Sequence, residues 1–128
     1  MATYLLDTNI IIDAINDKRN RSAALVGLAE RGHTLACSPV NIAEVYAGVR
    51  PKEEQKTGDL LRSFQFYPIT FPVSELAGRL KHQYSKKGRP LTLMDTLIAA
   101  VAIHYHLALI TDNAKDFPMP ELSLQSLP

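Results

Sequence analysis

Apolar residues follow two alternating rhythms along this chain. Tyr4-Leu5-Leu6 is a short unbroken apolar run, the pattern of a strand buried on both faces. Ile10, Ile11, Ile12, Ala14 and Ile15 then resume at the density and spacing of a short buried helix. Ser22 to Arg31 reads as a helix with Ala24, Leu25, Leu28 and Ala29 on one face, and Gly32 suits its end. Thr34 to Cys37 is a second strand. Ser38-Pro39 after it is a good helix start, an N-cap followed by proline at the first helical position, for a helix to about Arg50.

Pro51 breaks that pattern, and Lys52 to Phe64 forms a more polar helix interrupted by Gly58. Phe66 to Phe71 is a third strand, pushed by Pro68 towards a sheet edge. A helix opens at Pro72 or Val73 and runs through Tyr84, with Leu76, Ala77, Leu80 and Tyr84 inward. Thr92 to His106 is apolar nearly all round after Asp95, the mark of a buried helix. Leu107 to Ile110 is a fourth strand, and Leu122 to Leu124 a short last one.

Strands alternating with helices predict an α/β fold with a parallel sheet and right-handed crossovers. A length of 128 residues suits a single domain covering 1–128, and no repeat, linker or low-complexity segment divides it. Hydrophobic residues at 46 % and charged residues at 21 % are ordinary for a soluble globular chain. A net charge of +1 carries no bulk argument for nucleic acid, so any such argument must come from local patches. The one cysteine, Cys37, forbids an internal disulfide and reads as core. No apolar run approaches membrane-spanning length, and the first residues lack the basic-then-apolar form of a signal; a cytoplasmic protein is expected.

The acids change the picture. Asp7 stands where a core strand's carboxyl end meets a helix's amino end, the edge at which open α/β sheets bind ligands; alternatively Asp7 or Thr8 simply caps that helix. Glu44 lies among Ala43, Val45, Val40 and Ala47, so it must face water or meet a cationic partner. Asp95 opens the buried helix three residues after Thr92, which fits a capping box. The fourth strand ends in Thr111-Asp112-Asn113, much as the first ends in Asp7-Thr8-Asn9, and Asp116-Phe117 follows. In a parallel sheet these positions share one rim. Carboxylates gathered there repel and are best tolerated around a cation; with no cysteine cluster or paired histidines, that cation is Mg²⁺ or Mn²⁺. His104 and His106, two apart, point to different sides of their helix and do not form a zinc site. Arg79, Lys81, Lys86, Lys87 and Arg89 form a basic run with no acid, either a solvated helix end or a phosphate-contacting patch.

Leu-Leu-Asp-Thr-Asn near the start, Ser-Pro-x-x-x-x-Glu at 38–44, Leu-Met-Asp-Thr-Leu-Ile-Ala-Ala at 93–100 and Ile-Thr-Asp-Asn-x-x-Asp-Phe at 110–117, in this order and spacing, resemble the PIN-domain ribonucleases, specifically the VapC-type toxins of toxin–antitoxin pairs. The resemblance covers essentially the whole chain. It implies a three-layer sandwich, a central parallel sheet of order 3-2-1-4-5 flanked by helices. It makes Asp7, Glu44 and Asp95 acids of the metal site, with Asp116 favoured as the fourth and Thr8, Asn9, Thr111, Asp112 and Asn113 supporting. It implies metal-dependent endonucleolytic RNA cleavage, a small antitoxin whose C-terminal segment wraps the toxin, and a homodimer. Lys86, Lys87 and Arg89 would then contact RNA phosphates. A PIN nuclease outside a toxin–antitoxin pair, or a catalytically silent PIN binding module, is the alternative.

Two other folds place acids at strand ends. A haloacid dehalogenase-type phosphatase needs an acid two residues after the first, where this chain has Asn9. A receiver domain needs a phosphoacceptor aspartate after a central strand, and Phe66 to Phe71 offers none.

Overall fold

The computed structural model describes residues 1–127. Five strands, β1 (Thr3–Leu6), β2 (Thr34–Cys37), β3 (Gln65–Phe66), β4 (Ala108–Ile110) and β5 (Ser123–Gln125), form one sheet of order β3-β2-β1-β4-β5. Every neighbouring pair is parallel, with Tyr4 opposite Leu35 on one side and Ala108 on the other. Six helices accompany them: α1 (Thr8–Ile15), α2 (Arg21–Glu30), α3 (Pro39–Ala47), α4 (Glu54–Ser63), α5 (Phe71–Lys86) and α6 (Leu93–His104). The expected sheet order is the order found.

Strand alternation sorts the core into two layers. Leu5, Ala36 and Leu109 face a cluster built on α5 and α6, with Val73, Ala77, Leu80, Ile98 and Val101. Tyr4, Leu6, Cys37 and Ile110 face the opposite cluster, with Ile10, Ile11, Leu25, Leu28, Leu61 and Phe64. Because both faces are covered, the central strands carry apolar residues at consecutive positions, which is why they read as unbroken runs. Cys37 belongs to this core, and burial pushes its thiol up to about 11, so it is an unreactive packing residue.

The expected element bounds shift in physically simple ways. β3 is two residues long instead of six: Tyr67 still donates its N–H to the Cys37 carbonyl at 2.9 Å, but Pro68 has no N–H to continue the ladder. Phe71 opens α5 instead of closing a strand, with Pro72 in its first turn. α3 stops at Ala47, three residues early, with Gly48 as its C-cap. Lys52 falls in a 3-10 turn, Pro51–Glu53, that precedes α4. α2 begins one residue early, so Arg21 lies in its first turn. α6 starts after Thr92, which caps it, and ends two residues before His106.

Gly58 is buried in the middle of α4, where glycine costs helix stability. A methyl group there would lie 2.7 Å from Arg62 Nη1 and 3.0 Å from the Tyr46 hydroxyl, both tips of long side chains at the surface. Those tips can swing aside. Gly58→Ala is expected to raise stability by up to about 1 kcal/mol in urea unfolding; a decrease would mean the tips are held in place.

Candidate active site

The carboxyl edge of the sheet gathers side chains from well-separated parts of the chain. Asp7 follows β1 directly and serves as N-cap of α1, its Oδ1 accepting from the Thr8 N–H at 2.9 Å. Its other oxygen, Oδ2, accepts from the Thr111 hydroxyl at 2.7 Å, where β4 ends. Thr111 Oγ1 in turn accepts from the Asn113 N–H at 3.0 Å. The Asp7 backbone N–H donates to the Ile110 carbonyl, so main chain and side chain are both tied to the neighbouring strand. Asp7 therefore caps its helix and also stands on the rim.

Glu44 is half-buried on α3, and its partner is a hydroxyl. Thr8 Oγ1 donates to Glu44 Oε1 at 2.6 Å. The expected choice between water and a cation is thus joined by a third element, a neutral donor that orients the carboxylate and leaves its charge in place.

Behind Thr8 lies a fully buried amide, Asn41. Its Nδ2 donates to the Leu6 carbonyl and to Thr8 Oγ1, both at 3.1 Å. Its Oδ1 accepts from the Ser38 N–H at 2.8 Å and the Ser38 hydroxyl at 2.9 Å. All four of its hydrogen-bonding positions are filled. Because Thr8 Oγ1 accepts from Asn41, its own proton is directed to Glu44. Sequence reasoning identified Ser38 as a helix cap but missed Asn41. An amide three residues after the cap, in the place a capping box gives to Glu or Gln, was the available signal.

Asp95 lies in the first turn of α6. Its N–H donates to Thr92 Oγ1 at 3.1 Å, half of the expected capping box. Among the described residues the return bond, from the Thr92 N–H to the Asp95 carboxylate, is not formed. Asp116 ends a 3-10 turn, Ala114–Asp116, and is half-buried. Burial pushes the Asp95 carboxyl above the ordinary aspartate range, Thr92 pulls it partly back, and the charges of Asp7, Asp116 and Glu44 push it up further. Burial likewise raises Asp7 against the lowering by Thr111 and Thr8, with Glu44 and Asp112 adding repulsion. Asp7, Glu44 and Asp116 are thus all within electrostatic reach of Asp95.

Asp112 has a different environment. Arg21 Nη2 donates to its Oδ1 at 2.8 Å and Arg19 Nη1 to its Oδ2 at 2.9 Å. No arginine adjoins Asp112 in sequence, and Arg21 was missed as a rim residue. A cation in the first turn of a helix opposes the helix dipole, which is the trace it leaves in the sequence. Asn9, expected to support the site, is exposed on α1, and no hydrogen bond ties its side chain to the acids among the described residues.

The basic run adjoins the rim. Arg89 Nη2 donates to the Lys115 carbonyl at 2.6 Å, one residue before Asp116. Lys87 stands 4.9 Å over the Tyr84 ring, Lys81 donates to the Leu91 carbonyl, Arg79 pairs with Glu75, and Lys86 is exposed.

The rim's donors are hard carboxylate oxygens, the set that suits Mg²⁺ or Mn²⁺. Among the described residues no group of three or more His, Cys, Asp or Glu side chains is placed to hold a metal ion as it stands; the acids form a loose cluster whose mutual repulsion a cation would relieve. Such a cluster can concentrate a divalent cation, orient water and meet a phosphodiester.

Comparison with known proteins gives one answer. The PIN domain family profile matches residues 4–118. The chain is 31 % identical over 119 residues to "Ribonuclease VapC19" of Mycobacterium tuberculosis, covering 92 % of this chain and 95 % of that one. Its fold matches the crystal structure of VapBC2 from Rickettsia felis bound to a DNA fragment from their promoter, at TM-score 0.82 and 28 % identity, over 98 % of this chain and 99 % of that one. It also matches a toxin-antitoxin complex from Klebsiella pneumoniae, at TM-score 0.77 and 32 % identity, over 93 % and 94 % of the two chains.

The raised carboxyls set a stability test. A carboxylate whose folded pKa lies above its unfolded value opposes folding once ionised, so the destabilisation is complete at neutral pH and vanishes as acid protonates the group. Metal-free Asp7→Asn and Asp95→Asn should therefore be at least as stable as wild type at pH ~7, and the difference should shrink towards pH ~4. Thermal melts across that range in EDTA measure it. Variants that melt earlier at neutral pH would make both residues plain helix caps.

Proposed function

The chain belongs to the PIN-domain family, and from that membership we propose that it is a VapC-type endoribonuclease, the toxin of a toxin–antitoxin pair, hydrolysing RNA phosphodiester bonds at its acidic rim. The observation that carries this reading is the convergence of Asp7, Glu44, Asp95 and Asp116 from four separate segments, with Thr8 and Thr111 holding two of them by neutral hydrogen bonds.

In this proposal Asp7 and Asp95 are the main ligands of Mg²⁺ or Mn²⁺, and Glu44 and Asp116 complete the site. The bound ion supplies an activated water and neutralises charge on the attacked phosphate. Each Asp7 oxygen accepts one protein hydrogen bond and keeps a second lone pair for a cation. Thr8 fixes Glu44 through Oε1 and leaves Oε2 without a protein hydrogen bond among the described residues, so Oε2 is the freer oxygen to orient an attacking water and take its proton. Arg89, tied to the Lys115 carbonyl next to Asp116, holds phosphates flanking the cut together with Lys86 and Lys87 of the same basic run. The proposal includes a small antitoxin as partner, a homodimer, and action in the cytoplasm, where the RNA is. No helix among the described residues is long and apolar enough to cross a membrane.

Purified protein should cut structured RNA with Mg²⁺ or Mn²⁺ and stop with EDTA, and Asp95→Asn should reduce activity by orders of magnitude. Expression alone should arrest growth, and co-expression of the cognate antitoxin should relieve the arrest. Equal cleavage in EDTA would exclude the metal mechanism; harmless high-level expression would remove the toxin assignment while leaving the nuclease.

Changing Lys86, Lys87 and Arg89 to Glu should weaken RNA binding and flatten its dependence on salt, by roughly 0.7 in the logarithmic slope for each phosphate that the protein no longer neutralises. An unchanged slope in binding titrations would return the run to a solvated helix end.

A further inference from the structure

We propose that Arg19 and Arg21 withhold Asp112 from the acidic rim and thereby set how tightly the site holds a divalent cation. The proposal rests on the metal reading of Asp7, Glu44, Asp95 and Asp116, and it adds a fifth acid with a separate task.

Asp112 is a neighbour of the cluster by position. It follows Thr111, whose hydroxyl holds Asp7, and its negative charge adds to the repulsion on Asp7. Yet each of its carboxylate oxygens is taken by a different guanidinium, Arg21 at 2.8 Å and Arg19 at 2.9 Å. The hydroxyls that hold Asp7 and Glu44 leave those carboxylates charged; Asp112 is neutralised where it stands.

Two features mark the clamp as more than a strut. The Arg21 side chain is 0 % exposed, and its Nε and Nη1 have no protein partner. A guanidinium buried with only Nη2 paired is a costly way to tie a loop, since a buried charge must be compensated in full before it stabilises anything. The turn that presents both arginines is strained as well. Asp17, Arg19 and Asn20 adopt left-handed φ of 53°, 55° and 55°. Asp and Asn tolerate that region, whereas Arg19 has no short polar side chain to ease it. Strain of this kind persists where surrounding structure over-determines it and is concentrated at functional sites.

The electrostatic consequence has a sign. Arg19 also pairs with Asp13 at 3.9 Å, so the two guanidiniums and the two carboxylates of the clamp balance, and Asp112 adds no unpaired charge to the rim. Removing Arg21 leaves the rim one charge more negative and frees an oxygen of Asp112. Cation affinity should then rise and affinity for polyanionic RNA should fall. Neutralising Asp112 alone does the opposite to the cation. Removing both returns the net charge to its starting value, and removing a buried pair together avoids leaving a bare charge.

The test measures Mg²⁺ and Mn²⁺ affinity by calorimetric titration and by cation-dependent melting, with RNA binding by anisotropy, for wild type, Arg21→Met, Asp112→Asn and the double variant. Arg21→Met should bind the cation several-fold more tightly and RNA more weakly. Asp112→Asn should bind the cation several-fold less tightly, and the double variant should return to within about twofold of wild type. Cation affinity that is unchanged or weaker in Arg21→Met, or a double variant that does not recover, overturns the clamp and leaves a structural ion pair. Should Arg21→Met not fold, Asp112→Asn and the double variant decide: equal affinity in wild type and Asp112→Asn overturns it. A wild type whose melting does not respond to either cation removes the metal reading and the clamp with it, whereas a responsive wild type with unmoved variants removes the clamp alone.

Discussion

Gathering carboxylates at one sheet edge opposes folding, and the hydrogen bonds that hold them there are made by neutral groups. Burial is the largest cause of the raised Asp7 and Asp95 carboxyls, and mutual repulsion adds to it. Thr111 and Thr8 orient two of the acids without cancelling their charge. That choice of donor leaves an uncompensated electrostatic attraction for a cation, which an arginine in the same place would abolish.

The hydroxyl of Thr8 depends in turn on Asn41. Its amide joins the last carbonyl of β1, the start of α3 and Thr8 in one saturated set of bonds. A buried amide with every position filled is rigid, because any displacement leaves a polar group unpaired in a dry environment. Glu44 is therefore positioned from β1 as much as from its own helix. On the other side, the Asp7 N–H and carboxylate both reach the end of β4. The central strand and its two neighbours thus share one hydrogen-bonded frame at the rim, and the two apolar layers beneath keep those strands in register.

Charge is managed differently a few residues away. Asp112 meets two arginines, and Arg89 ties the basic run to the loop that carries Asp116. Around one rim, then, some acids are oriented and left charged, one is neutralised, and cations border the approach. Net charge over the whole chain, at +1, conceals this division completely.

Local chemistry in the sequence determined a great deal. Unbroken apolar runs specified β1, β2 and β4, since strands covered on both faces have no polar side to show. Thr92 and Ser38-Pro39 set the starts of α6 and α3, since caps act on the adjacent backbone. Asp7, Glu44 and Asp95 draw attention because a carboxylate at a strand end or in an apolar helix needs an explanation wherever it lies, whereas Asp116 is favoured only through the family resemblance. Other features were decided by tertiary structure alone. Pro68 cut β3 to two residues because strand length depends on the partner's ladder as well as on propensity. Asn41 and Arg21 owe their roles to groups 35 and 91 residues away, Leu6 and Asp112, and no local pattern encodes a partner at that distance. The sequence could say which residues carried charge, but only packing could decide which of those charges were left bare, because a hydrogen bond or ion pair across the sheet edge exists only once the strands have met.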